Sequence, residues 1–185
     1  MRARSAGEAS LVRGGDSLAY CFVMRRMDGD SVRLMAGLLI ALSKLNRFTD
    51  SIRLVPGHSK TPVEAVRRFE VLVREESKWR LYDSNRALRE SFALLNGMVE
   101  LGEREFSITV KYSYERGGRV VTAKYDRYSL LLRPGEEEVV LEMRRISGVM
   151  RTAPEDICEM LAEIVSSQEG GISVVLREIS CGETP

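Results

Sequence analysis

The stretch EFSITVKYSYE (105–115) decides how the rest of the chain is read. Phe106, Ile108, Val110, Tyr112 and Tyr114 share one face of an extended strand, while Ser107, Thr109, Lys111 and Ser113 share the other. A period of two over that length marks a strand with one buried face. Arg116-Gly117-Gly118 comes next, and glycine tolerates the positive φ that a tight hairpin demands. The return strand, 119–132, places Val121, Ala123 and Tyr125 on the apolar side and Thr122, Lys124 and Asp126 on the polar side. Either plausible hairpin register keeps Lys111 and Lys124 on the same face. Leu130, Leu131 and Leu132 are consecutive, so a bulge or burial on both sides is expected beyond Asp126. After Arg133-Pro134-Gly135 a third strand runs over 138–146, with Val139, Leu141 and Met143 alternating against Val140, Glu142 and Arg144.

Outward from this meander the pattern turns mostly helical. Residues 17–27 form a short apolar run read as a strand, and Asp28-Gly29-Asp30 turns the chain so that Ser31 can cap a helix. Residues 32–48 are apolar almost all round, which predicts a helix buried on most sides. A strand is expected over 51–55. Thr61-Pro62-Val63-Glu64 then resembles a helix start, with Thr at the cap and Pro at the first helical position. On that reading Ala65, Val66, Phe69, Leu72 and Val73 make a core stripe, Arg67, Arg74 and Lys78 line the far side, and Val71 is exposed among the arginines. Lys78–Tyr82 breaks this helix, and another spans 85–101 with Ala87, Leu88, Ser91, Phe92, Leu94, Leu95, Met98 and Val99 on its apolar face. Thr152-Ala153-Pro154-Glu155 opens a helix over 154–168, and a last strand over 172–179 is expected to join the sheet. The fold class is therefore α+β: an antiparallel sheet, a three-strand meander plus a C-terminal strand, covered by helices. Residues 17–180 read as one domain between tails at 1–16 and 181–185.

Composition narrows the function. The chain has 185 residues, 44% apolar and 30% charged, as a folded soluble protein does. Net charge is +1, but residues 1–101 hold 17 Lys+Arg against 12 Asp+Glu, and residues 102–185 hold 11 against 15. That asymmetry can orient a basic face toward a polyanion, or let the two halves pair with each other or with a partner. With 23 Arg, five Lys, three Asn and one Gln, the composition points to a hyperthermophile source. Cys21, Cys158 and Cys181 lack the spacing of a zinc site, and no metal or cofactor is expected. Such a sparse set suits reduced cytosolic thiols, although hyperthermophile cytosol also hosts disulfides. No apolar run approaches the roughly 20 residues of a membrane span, and no signal-peptide core precedes the domain, so a cytoplasmic location is expected.

Two groups of residues are candidate sites. The first combines cations with aromatic rings: Lys78, Trp79, Arg80 and Tyr82 at the helix junction, and Lys111, Arg119 and Lys124 on the polar sheet face. Cationic grooves with stacking platforms bind single-stranded nucleic acid. Two lysines opposed across a strand pair repel unless an anion lies between them. The other group is Gly57, His58, Lys60 and Thr61, which could hold an anion at the start of the helix opened by Pro62. It is not a phosphate-binding P-loop, because Leu54 and Ser59 stand where that motif needs glycines. With a single histidine no catalytic triad can be assembled, which disfavours an enzyme.

In composition and element order alone, helices beside a small antiparallel sheet in an arginine-rich chain, the protein resembles the ThermoDBP-type single-stranded-DNA-binding proteins. The expectation is non-catalytic binding of single-stranded DNA or RNA. A protein–protein adaptor, including a homodimer, is the alternative, and a phosphate-dependent enzyme using His58 and Lys60 is the third reading.

Overall fold

The computed structural model describes residues 19–56, 61–168 and 173–182. Among them are eight strands and three helices: β1 (Ala19–Arg26), α1 (Ser31–Leu45), β2 (Thr49–Leu54), β3 (Val63–Glu75), β4 (Lys78–Leu81), α2 (Ser84–Leu95), β5 (Arg104–Arg116), β6 (Arg119–Pro134), β7 (Glu138–Ser147), α3 (Pro154–Gln168) and β8 (Val174–Ile179). The strands form one antiparallel sheet in the order β2-β3-β5-β6-β7-β1-β8, and β4 pairs with β3 at its side.

This overturns the expected three-strand meander plus one strand beneath helices. Strands make up 49% of the described residues and helices 27%, in a curled half-barrel sheet with helices against one face. The likeness drawn from a small sheet beside helices lapses with it. The meander itself stands, as β5, β6 and β7. The largest error is the stretch 63–75, which is strand and not helix. Ala65, Phe69, Val71 and Val73 are buried at odd positions, while Val66, Arg68 and Arg74 face outward. Both periods fit this sequence, but its β-branched and aromatic residues favour the pleat once β5 offers a ladder. Val71, read as exposed, is fully buried. Lys78–Leu81 is likewise a strand, β4, rather than a helix break.

The inner face carries the core. Register places Tyr20, Met143, Leu130, Phe106 and Val73 side by side across β1, β7, β6, β5 and β3. α1 lies on this face, buried along most of its length, and Asp30 caps it by accepting from Arg33 N at 2.9 Å. Ser31, expected as the cap, is the first helical residue. At the other end Asn46 accepts from Val71 N and donates to Tyr82 O, both at 2.7 Å, which ties α1 to β3 and the β4–α2 junction. Asp83 caps α2 through Arg86 N at 2.8 Å. α3 approaches α1 at Gly37, where any Cβ would sit 3.2 Å from Val165 Cγ1. A disulfide joins Cys21 of β1 to Cys181 just beyond β8, so the segment expected as a tail from 181 begins at a covalent tether. Cys158 is a buried free thiol in α3. No helix among the described residues is long and apolar enough to cross a membrane.

Candidate nucleic-acid interface

The outer face of β3, β5 and β6 is shaped by one irregularity. Tyr112 pairs with Ala123 and Val110 with Asp126, so two residues of β6, Lys124 and Tyr125, stand opposite Lys111 alone. This is a β-bulge, and it flips the alternation that the sequence predicts. Asp126, expected on the polar side, is fully buried, and Tyr125, expected on the apolar side, is 46% exposed. This bulge lies just before Asp126, and a second irregularity, in the pairing of β6 with β7, falls just beyond it at Arg127 and Tyr128, where the sequence leads one to expect it.

A buried carboxylate needs donors, and the loop after β7 supplies them. Asp126 Oδ1 accepts from Val149 N at 2.7 Å and Met150 N at 2.8 Å. Its Oδ2 accepts from Arg151 N at 2.7 Å, Thr152 N at 3.4 Å and the Tyr112 hydroxyl at 2.6 Å. Since Tyr112 has one proton and gives it to the carboxylate, the Thr152 hydroxyl, 2.8 Å away, donates to Tyr112. Arg67, paired with Asp50 at 2.9 Å through Nε, donates in turn to Thr152 Oγ1 at 3.2 Å. Tyr128 donates to Thr152 O at 2.5 Å. Burial, reinforced by the neighbouring Asp126, raises the hydroxyls of Tyr112 and Tyr128 above the ordinary tyrosine range.

Gly148 makes this closure possible. Its φ is +108°, and a Cβ there would collide with Asp126 Oδ1 and lie 2.6 Å from Tyr125 O. Arg151 also donates through Nη1 to Lys124 O at 2.8 Å, clamping the bulge from below. No buried side-chain polar atom of this network lacks a hydrogen-bond partner. Its work is to hold the backbone that presents Lys124 and Tyr125.

What results outside is a cationic strip. Arg68 of β3 is the register partner of Lys111 of β5, which faces the Lys124–Tyr125 bulge of β6. One row on, Glu70, Thr109 and Arg127 are aligned. Arg127 lies over the Tyr125 ring, 5.4 Å from its centroid. These two rows carry four cations against one acid, Glu70, which pairs with Lys111 at 2.7 Å. An exposed pair of that kind is worth about 0–1 kcal/mol and exchanges readily for another anion.

The structure separates the other residues expected here. Trp79 is 43% exposed on the same outer face, as the register partner of Arg74. Arg74 lies six residues along β3 from Arg68, roughly 20 Å at about 3.3 Å per residue, so Trp79 and Lys111 form no single site. Arg80 pairs with Glu75 at 2.9 Å, and Lys78 is exposed at the start of β4. Tyr82 is fully buried, edge-on to Phe106 at 5.0 Å and donating to Glu90 at 3.2 Å, and is closed to any stacking base. Arg119 sits at the hairpin opposite Arg116, beside the turn made by Gly117 and Gly118.

Gly57, His58 and Lys60 lie outside the described residues. Thr61 is exposed ahead of β3, and the helix start that would favour an anion there is replaced by a strand from Val63. Sequence reading misses Arg68, Tyr125 and Arg127. The first is hidden by the helical reading of β3 and the others by the bulge.

A cleft of about 620 Å³ opens between α2 and β3–β5. Its walls hold pairs that already neutralise one another, Arg74 with Glu105 at 2.8 Å and Arg86 with Glu90 at 2.7 Å. No cluster of metal-binding side chains occurs among the described residues. Searches against protein-family models, curated proteins and solved structures found no match to this chain.

Proposed function

We propose that the protein binds single-stranded nucleic acid on the outer face of β3, β5 and β6, without catalysis. The observation that carries this reading is the bulge in β6. By turning Asp126 inward it withdraws an acid from the surface and leaves Lys124 and Tyr125 side by side next to Lys111. Arg68, Lys111, Lys124 and Arg127 supply the charge that tracks a phosphate backbone. Tyr125 supplies a ring on which a base of any sequence can stack. Trp79, on the same face and roughly 20 Å away, would meet a strand that continues along β3.

The test is titration of fluorescent oligo-dT at two salt concentrations. Affinity should fall steeply with salt, and the charge-reversed Lys111→Glu/Lys124→Glu protein should lose most of it. Unchanged binding in that protein, or no binding by the wild type at low salt, removes the reading.

A further inference from the structure

Strand β8 closes one side of the sheet with little to hold it there. It pairs with β1 alone, from Val174 opposite Arg26 to Ile179 opposite Cys21. None of its six side chains is fully buried: Val174, Leu176 and Ile179 are half-buried, and Val175, Arg177 and Glu178 are exposed. The neighbouring β1, in contrast, is paired on both sides and buries most of its residues. An edge strand that buries so little belongs to the low end of local stability, where a segment opens without the rest of the fold. Two attachments offset this. Met27 N donates to Ser173 O at 3.3 Å just before the strand, and the Cys21–Cys181 disulfide fastens the chain just after it.

The two ends of that bond are unequally reachable. Cys21 is buried in β1, whereas Cys181 is an exposed residue in the turn after β8. Thiol–disulfide exchange goes through the sulfur that a thiolate can approach, and here that is Cys181. We propose that the disulfide is a thiol-operated latch: a small dithiol reduces it in the folded protein, and β8 then leaves the sheet while the other strands and the helices stay in place. One thiolate of the dithiol attacks Cys181 Sγ, and the S–S bond breaks with its electron pair on Cys21 Sγ, which takes up a proton. The second thiolate of the dithiol attacks its own sulfur in the mixed disulfide and frees the Cys181 thiolate, which is protonated in turn. Two electrons and two protons pass to the protein, and the dithiol closes to a cyclic disulfide. Release moves the edge of the sheet from β8 to β1, whose main-chain groups over Cys21–Arg26 then lack a neighbouring strand on that side. The latch lies away from β3, β5 and β6 and stands independently of nucleic-acid binding.

Hydrogen exchange of the oxidised full chain, before and after dithiothreitol and without denaturant, tests it, with iodoacetamide added to mark the thiols. Reduction should speed amide exchange over 174–179 by about tenfold or more and leave β5 and β6 unchanged. Iodoacetamide should then modify Cys21 and Cys181 and spare Cys158, which is fully buried in α3 and reports opening of the whole core. The Cys21→Ser/Cys181→Ser protein should exchange as the reduced wild type does, with no dithiothreitol present. A bond that dithiothreitol leaves intact, β8 amides as protected after reduction as before, or loss of protection across the chain with Cys158 modified overturns the proposal.

Discussion

The hydroxyl of Tyr112 donates to Asp126 Oδ2 at 2.6 Å, joining neighbouring strands β5 and β6 across the bulge. The carboxylate it meets also takes four backbone N–H groups, from Val149, Met150, Arg151 and Thr152. Replacing Asp126 by Ala orphans all five donors. Each buried unsatisfied donor costs on the order of 1–3 kcal/mol, and relaxation of the loop recovers part of the sum. Asp126→Ala is expected to cost about 3–5 kcal/mol in urea unfolding, among the larger single-site effects. Tyr112→Phe should cost about 1–2 kcal/mol, since it removes one donor and leaves the loop bonds in place. A loss below about 1 kcal/mol for Asp126→Ala would mean that the network is dispensable.

Gly148 should tolerate no side chain. Its φ of +108° disfavours any L residue, and the added Cβ would meet the Asp126 carboxylate and Tyr125 O. Gly148→Ala is expected to destabilise by about 2 kcal/mol or more in the same assay. Gly117→Ala serves as the control: its φ is also positive, but nothing lies within 4 Å of the added carbon, so the smaller loss reads strain alone.

Stability should decline on the alkaline side. Tyr82, Tyr112 and Tyr128 are each raised above the ordinary tyrosine value of 10.0, chiefly by burial, with Glu90 adding to the effect at Tyr82 and Asp126 at the other two. As pH rises past about 10 the unfolded chain releases these protons before the folded one does. The stability they contribute is whole below that pH and is lost as pH climbs toward the folded values. Unfolding free energies measured on both sides of pH about 10 should therefore fall, with tyrosinate absorbance from these rings appearing only on unfolding. Free energy that stays flat, or complete tyrosine titration in the folded state, contradicts the burial described.

Cys21–Cys181 closes a loop of 160 residues in sequence separation. Crosslinks of this reach commonly contribute about 2–4 kcal/mol by restricting the unfolded chain. Cys181→Ser, or reduction of the wild type, should lower the melting temperature without altering oligonucleotide affinity, because β1 and β8 lie at the opposite side of the sheet from β3. An unchanged melting temperature would show that the bond is not formed in solution.

Much of the sheet is legible from the residues alone. The alternation over 105–115, the glycine pair at 117–118 and the second alternation over 138–146 specify β5, β6 and β7, because each strand buries one face and leaves the other wet. α1 and α3 are legible for the corresponding reason at helical period. β3 is not, since Ala65, Phe69 and Val73 satisfy the helical spacing as well as the extended one, and only pairing with β5 decides between them. The candidate interface is half visible: the hairpin pattern puts Lys111 and Lys124 together, but the facing of Tyr125 and Asp126 depends on a bulge held by a loop more than 20 residues away. Nothing local announces that.

Amide chemical-shift mapping of the isotope-labelled protein with unlabelled oligo-dT tests the central claim most directly. Perturbations should cluster on Arg68, Lys111, Lys124, Tyr125 and Arg127, spare α2, and vanish in the Lys124→Glu protein at moderate salt. Shifts confined to α2 or to its cleft with β3, or no shifts at low salt, would show that the strip beside the bulge is not where this protein meets its ligand.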